Sequence, residues 1–357
     1  MKSKQKFSSQ LLNWNKNQNK RKMPWKGEKD PYKIWLSEII LQQTRVEQGL
    51  AYYNNFINTF PTVHHLAKAP DEKVFKLWEG LGYYSRCRNL LATARFISEE
   101  LKGIFPDSYE SIKALKGIGP YTAAAISSFA FNLPHAVVDG NVFRVLARVF
   151  GISKAIDSTE GKKQFTALAE ELLDKKQPGL YNQAIMDFGA VVCKPLLPLC
   201  GTCVFKKDCY AFRHNKVNVL PVKEKKISIK KRCFYYLVLE YYKKIAICQR
   251  TAKDIWQGLY EFPLIETTSA AEPAGIIKQA VQQKWLKPNG YTIKTLSPLY
   301  KQQLSHQHIT GQFMIVIMKT KPVITDNWQW IAKDALRQYA FPRMLRHFLH
   351  DEMQQNH

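Results

Sequence analysis

Two carboxylates stand among mostly apolar neighbours. In AVVDGNVFRVLARVF, residues 136–150, Asp139 precedes Val142, Val145, Leu146 and Val149, which recur at helical spacing, so Asp139 reads as the N-cap of a helix. In DPYKIWLSEIILQQTRV, residues 30–46, Asp30 caps a second helix and Pro31 opens it. Glu38 shares a face of that helix with Ile34 and Leu41, beside Trp35 and Ile39. A carboxyl on an apolar face is desolvated and its pKa rises, whereas helix N–H groups at a cap hold a carboxylate ionised. One protonated and one ionised acid make a pair suited to acid–base chemistry at a charged intermediate. Taken singly, each has a plainer reading: Asp139 as a cap only, Glu38 as a surface side chain with its head in water.

A second group is Cys193, Cys200, Cys203 and Cys209, separated by six, two and five residues in a loop stiffened by Pro195 and Pro198. Four thiolates so close in sequence can close around one centre. Zinc accepts four thiolates, but its usual arrangement is two close pairs on either side of a longer span. Three tightly spaced Cys with one just upstream suit a cubane iron–sulfur cluster. Such a cluster has no open position for substrate, so its expected role is to fold a basic loop carrying Lys194, Lys206 and Lys207. Cys87, Cys233 and Cys248 are expected to be ordinary buried residues.

The third group is LKGIGPYTAAAISSFA, residues 115–130, where Gly117 and Gly119 bracket Ile118 just before a helix rich in small residues. Glycines there permit a tight turn and close approach of the backbone to a ligand, and the helix N-terminus offers N–H donors, which suits a DNA phosphate. A plain turn between two helices accounts equally well for the glycines alone.

These residues need elements to hold them. Residues 8 to about 210 read as successive helices with short Gly, Pro or Asn punctuation. From 213 the stretch RHNKVNVLPVKEKKISIKKR carries eight Lys or Arg, one Glu and no helical period, and reads as a solvated linker over 213–228. Beyond it, CFYYLVLEYYKKIAICQR is two aromatic and β-branched runs around a Lys-Lys turn, QQLSHQHITGQFMIVIMK is another hairpin, and PAGIIKQAVQQKWL is a helix opened by Pro273. The expected architecture is therefore a mainly α part over 1–212, with the cysteine loop at 193–209, and an α+β domain over 229–357.

Lys and Arg total 53 against 29 Asp and Glu, a net charge of +24 over 357 residues, which points to a polyanionic partner such as nucleic acid. A membrane surface is the competing polyanion, but no apolar run is long enough to span and no basic amphipathic segment stands out. The opening MKSKQKFSSQ lacks the apolar core of a signal peptide, so an intracellular protein is expected. Seven Cys, an odd number in a large chain, argue against a disulfide framework.

The hairpin LKGIGPYTAAA, the downstream VVDGN and the four-Cys loop together resemble the helix-hairpin-helix DNA glycosylase superfamily, in the iron–sulfur branch that includes endonuclease III. PWKGEKDPYKIWLSEIILQQTRV and WEGLGYYSRCRNL narrow the resemblance to the adenine DNA glycosylases of the MutY family, over residues 8 to about 210. It implies that Glu38 is the general acid and later the base that activates water, and that Asp139 stabilises or covalently captures the sugar cation. Asn141 matches a residue that hydrogen-bonds near the reaction centre, and Tyr121 an active-site position where lyases of the superfamily carry a Schiff-base Lys. Leu41, Gln42, Gln43 and Thr44 would wedge the duplex and contact the strand, and Tyr83 would stand beside the lesion. Trp25 and Asp187 match positions lining the adenine pocket, while Lys26 replaces an Arg that commonly follows the Trp, losing a planar bidentate contact.

WQGLYEFPLIE is similar to the approach to a Nudix box, yet no carboxylate lies between Pro273 and Lys287 to bind Mg²⁺. The resemblance thus implies a Nudix fold without pyrophosphatase activity that reads 8-oxoguanine, with Ser305 and His306 matching the family's Phe-Ser-His loop and Leu304 in place of Phe. The implied whole is a monofunctional glycosylase with one 4Fe-4S cluster at Cys193, Cys200, Cys203 and Cys209, with Gly117 and Gly119 on the DNA backbone. It would act as a monomer in the bacterial cytoplasm on duplex DNA with adenine opposite 8-oxoguanine or guanine. An endonuclease III-like lyase and a DNA-binding protein without catalysis are the alternatives.

Overall fold

A computed structural model describes residues 2–224, 228–320 and 328–355. The helical half comprises α1 (Lys2–Asn17), α2 (Pro31–Leu41), α3 (Val46–Thr59), α4 (Val63–Ala67), α5 (Asp71–Trp78), α6 (Tyr84–Glu99), α7 (Tyr109–Ala114), α8 (Pro120–Phe131), α9 (Gly140–Phe150), α10 (Thr159–Leu172), α11 (Pro178–Val191) and α12 (Tyr210–Arg213). There follow β1 (Lys230–Tyr241), β2 (Lys244–Gln249), β3 (Tyr260–Glu261), β4 (Leu264–Thr267), α13 (Pro273–Gln282), β5 (Tyr291–Leu296), β6 (Tyr300–Gln303), β7 (Gln307–Met318), β8 (Trp328–Ala332) and α14 (Arg343–Gln355). The chain clusters into two units, residues 1–68 with 89–226 and residues 69–88 with 227–357.

In the first unit the caps read from the sequence form as expected. Asp30 accepts from the Tyr32 N–H at 2.9 Å and Asp139 from the Val142 N–H at 2.7 Å, each satisfying an N–H left open at a helix start. Val142, Val145, Leu146 and Val149 of α9 are buried against Phe7, Leu11 and Trp14 of α1, Phe165 of α10, and Ile185 and Phe188 of α11. Each such side chain stabilises the unit by roughly 1.5–3 kcal/mol. Thr122 to Ser128 of α8 are buried without interruption, because their small side chains admit neighbours on every side.

The solvated-linker expectation needs correction over its first half. Leu220 is buried with Val217 and Val222 packed against the same core, the Ile156 N–H donates to the Val222 carbonyl at 3.0 Å, and Arg148 Nε to the Leu220 carbonyl at 3.0 Å. Three apolar residues around a proline carry no helical or strand period, which concealed their packing. Residues 225–227 of the expected linker lie outside the described residues.

The second unit is an eight-stranded sheet with path β3-β2-β1-β7-β5, to which β4 adds on β1, β6 on β7 and β8 on β2. β1 and β7 run parallel, and the remaining pairs are antiparallel. β1 and β2 form the expected hairpin, Tyr241 facing Lys244 across Tyr242 and Lys243, both at positive φ. Leu237, Leu239, Met314 and Val316 bury one face of the sheet under Ile276, Ile277 and Ala280 of α13. On the other face Phe348 of α14 stacks on Phe313 at 4.0 Å between centroids. Residues 69–88 join this unit: Lys76 Nζ donates to the Tyr339 carbonyl at 3.0 Å, and Glu79 accepts from the Phe341 N–H at 2.9 Å. Cys87 is buried as expected, whereas Cys233 and Cys248 are only partly so.

Candidate active site

A cavity of about 810 Å³ in the first unit is walled by α2, the loop from Arg21 to Lys29, and the starts of α8, α9 and α11. Trp25, Lys26, Glu38, Leu41, Gln42, Gln43, Thr44, Tyr121, Asp139 and Asn141 all line it. Both carboxylates therefore open into one space, although a hundred residues separate them. α2 delivers Glu38 because its apolar neighbours Ile34, Trp35, Ile39 and Ile40 are buried on the helix that Asp30 and Pro31 start. α9 delivers Asp139 because the same carboxylate that caps it faces the cavity.

Glu38 is 8% exposed. Burial pushes its carboxyl up to about 7, the Tyr121 hydroxyl pulls it down, and the charge of Asp139 raises it further. At neutral pH Glu38 thus holds a proton a large part of the time. Burial also raises the Asp139 carboxyl, opposed by the Val142 N–H, the Asn141 amide and the Arg144 guanidinium. The helix N–H donors expected to hold Asp139 ionised are in place and favour its charged form, while enclosure on the cavity wall acts against them. The two acids still differ in support, since Asp139 accepts short bonds from Val142 N at 2.7 Å and Asn141 Nδ2 at 2.8 Å. Burial and both carboxylates hold the Tyr121 phenol protonated, and its hydroxyl lies 3.5 Å from Met186 Sδ.

Asp139 is the first link of a hydrogen-bonded chain. Asn141 donates to it, Arg144 Nη2 donates to Asn141 Oδ1 at 2.8 Å, and Arg144 Nε donates to the Cys193 carbonyl at 2.7 Å. A turn further along α9, Arg148 Nη1 reaches the Lys194 carbonyl at 2.7 Å and Cys193 Sγ at 3.5 Å. Gly189 permits this approach of α11, because a Cβ there would stand 2.6 Å from that of Asn141, and its carbonyl accepts from Arg144 at 2.7 Å. Cys200, Cys203 and Cys209 lie within electrostatic range of Cys193, around the turn Cys200–Thr202. Among the described residues no group of three or more His, Cys, Asp or Glu side chains is arranged to hold a metal ion.

Asp187 does not reach the cavity wall. It is fully buried behind it, binding Arg21 Nη1 at 2.9 Å and Gln183 Nε2 at 3.0 Å through one oxygen, and Asn19 Nδ2 at 2.8 Å and Lys26 Nζ at 3.0 Å through the other. Arg21 and Gln183 line the cavity, as does Met186, and sequence reasoning missed all three. Arg21 donates through Nη1 to one oxygen of the carboxylate whose other oxygen holds Lys26, a single contact and not the bidentate one expected to be lost at Lys26.

Leu41 ends α2, Gln42 Nε2 donates to Thr122 Oγ1 at 3.2 Å, and Gln43 adopts φ 57°. Trp25 meets Tyr53 edge-on at 5.3 Å. Gly117, at φ 80°, sits where a Cβ would strike Asn89, and Gly119 is the N-cap of α8; neither borders the cavity. Tyr83, Ser305 and His306 belong to the second unit, where Ser305 and His306 are exposed at the turn between β6 and β7.

Residues 36–175 match the model of the HhH-GPD superfamily of base excision DNA repair proteins, and residues 234–351 match the NUDIX domain. A thermostable thymine-DNA glycosylase is similar in structure, 30% identical with a TM-score of 0.55 over 59% of this chain and 97% of its own. A trapped endonuclease III–DNA covalent intermediate, 18% identical with a TM-score of 0.52 over 59% of this chain and 98% of that one, shares the fold. Fold and cavity together define a base excision repair protein of the helix-hairpin-helix class carrying a Nudix-like domain.

The adenine DNA glycosylase of Buchnera aphidicola subsp. Baizongia pistaciae is 36% identical over 324 residues, 90% of this chain and 89% of its own. The adenine DNA glycosylase of Homo sapiens is 44% identical over 214 residues, 57% of this chain and 39% of its own. The chain belongs to the adenine DNA glycosylase family.

Proposed function

We propose that this chain hydrolyses the N-glycosidic bond of adenine in duplex DNA, opposite 8-oxoguanine or guanine. The observation that carries the reading is Glu38, a buried carboxyl pushed up to about 7 in the cavity that also holds Asp139. Adenine is a poor leaving group as an anion, so the extruded base takes the Glu38 proton on its imidazole-ring nitrogen as the C1′–N9 bond breaks and the bonding pair leaves with adenine. Asp139 faces the resulting sugar cation and stabilises or captures it. Glu38, now ionised, takes a proton from water, whose oxygen bonds to C1′, leaving an abasic site and a reprotonated acid.

Asn141 orients Asp139 through its 2.8 Å bond, and Tyr121 supports Glu38 where a lyase has an amine. The two amines on the cavity wall are committed elsewhere, Lys26 to Asp187 and Lys29 to the Phe129 carbonyl at 2.9 Å. Trp25, Arg21 and Gln183 frame the base, while Leu41 to Thr44 hold the strand at the cavity and Gly117 and Gly119 meet the backbone. The second unit reads the opposite base through Tyr83, Ser305 and His306, and α13 has no carboxylate for a Nudix metal.

Cys193, Cys200, Cys203 and Cys209 fit one 4Fe-4S cluster. Cys203 lies within electrostatic reach of Cys193, Cys200 and Cys209, and N–H groups of Arg148 and Phe205 approach Cys193 and Cys203 at 3.5 and 3.4 Å, so the four would hold the cluster as thiolates steadied by those donors. When bound, the cluster supplies structural order to the loop bearing Lys194. The protein would work as a monomer in the bacterial cytoplasm; among the described residues no helix is long and apolar enough to cross a membrane.

The test is single-turnover incubation with defined duplexes. Free adenine released at neutral pH, with strand scission only after alkali, supports the reading. Immediate scission and a strong borohydride-trapped adduct assign the chain to the lyases instead.

A further inference from the structure

Tyr83 combines three properties rarely found together. It is 43% exposed, it is a bulky aromatic residue, and it adopts φ 49°, in the left-handed region. Such a conformation persists only where the surroundings over-determine it. On one side the Tyr83 hydroxyl lies 2.7 Å from Ser305 Oγ. On the other, the Arg86 guanidinium stands 5.2 Å from the Tyr83 ring centroid and 5.3 Å from that of Trp78. Arg86 is 9% exposed and Trp78 fully buried, so the cation lies between an inner ring and an outer one. Burial pushes the guanidinium down to about 10, which leaves it charged at neutral pH.

The intervening backbone is pinned to the same pair. Trp78 Nε1 donates to the Gly82 carbonyl at 3.0 Å, Arg86 Nη2 to the same oxygen at 3.4 Å, and the Arg86 N–H to the Tyr83 carbonyl at 2.8 Å. A planar cation between two rings resists rotation of either.

We propose that Arg86 is a positioning residue for discrimination of the base opposite the excised adenine: sandwiched between Trp78 and Tyr83, it fixes the Tyr83 ring so that its hydroxyl and that of Ser305 meet that base as a preassembled pair. This rests on the proposed reading of Tyr83 and Ser305 as contacts to that base. Arg86 touches no substrate itself and acts through Tyr83. Ordering the pair beforehand removes a cost that binding would otherwise bear.

The test uses the full chain with 3-fluorotyrosine at position 83, and the ratio of excision from adenine opposite 8-oxoguanine to that opposite guanine. Arg86→Met should lower the ratio by roughly 3- to 30-fold, the range of a cation–π contact. It should also shift and broaden the fluorine resonance, and Arg86→Lys should recover part of both. In a Tyr83→Ala background, Arg86→Met should lower the ratio no further. An unchanged ratio and resonance in Arg86→Lys and Arg86→Met, or an equal loss with and without Tyr83, overturns the proposal. If Tyr83→Ala and Ser305→Ala leave the ratio unchanged while the resonance still responds to Arg86, the lesion contact is what fails, and Arg86 merely braces a surface tyrosine.

Discussion

Arg144 Nη2 lies 2.8 Å from Asn141 Oδ1, and the Asn141 amide in turn donates to Asp139 at 2.8 Å. Arg144 therefore determines which end of the Asn141 amide faces the carboxylate. Asn141→Ala removes one charge-assisted hydrogen bond and should slow adenine release on the order of 10- to 100-fold. Binding to a duplex with a non-hydrolysable adenosine analogue should stay within a few-fold of wild type. Equal losses in rate and binding would place Asn141 in DNA contact rather than in support of Asp139.

Glu38 sets the alkaline limb of the rate. The acid must be protonated when the bond breaks, so single-turnover excision should decline as pH rises through about 7. The folded pKa lies above the unfolded value of 4.5, so the associated stability is complete below that value and is lost as pH rises through about 7. Thermal unfolding should therefore shift down between pH 5 and pH 8 in a way that Glu38→Gln reduces. A rate that is flat to pH 9 would remove Glu38 from the proton transfer.

Asp187 neutralises two cations from a fully buried position. Asp187→Asn keeps the shape but leaves Arg21 and Lys26 uncompensated, and should destabilise the chain by about 2–4 kcal/mol, discounted because both cations are about a quarter exposed. Denaturant unfolding of the full chain measures it. A change below about 0.5 kcal/mol would mean the network contributes no more than a surface pair.

Cys200→Ser removes one thiolate of the proposed cluster. The wild-type protein should be brown and the variant should lose that visible absorbance. Colourless wild-type protein rich in zinc would overturn the cluster assignment while leaving the carboxylate chemistry untouched.

What the sequence revealed, and what it hid, follows the range of the interactions involved. Glu38 and Asp139 were legible because helix periodicity and capping are local, so the apolar face of α2 and the start of α9 could be read without the fold. Spacing alone singled out the four Cys, and the fold keeps Cys200, Cys203 and Cys209 within electrostatic range of Cys193. The role of Asp187 was not, because its partners Asn19, Arg21 and Lys26 lie more than 150 residues away in a charged loop with no period. Gln183 had a faint signal, one helical turn before Asp187. Arg144 and Arg148 had a clearer one: two cations one turn apart among the apolar residues of α9 must find buried acceptors. The recruitment of residues 69–88 to the second unit left no trace in composition.

The most direct measurement is single-turnover adenine release by Glu38→Gln beside wild type, with binding of both to the same duplex. Glutamine fills the same space but has no acidic proton to give, so release should vanish while binding is retained. Release at a rate near wild type would contradict the account, since the buried proton that defines it would then have no part in breaking the bond.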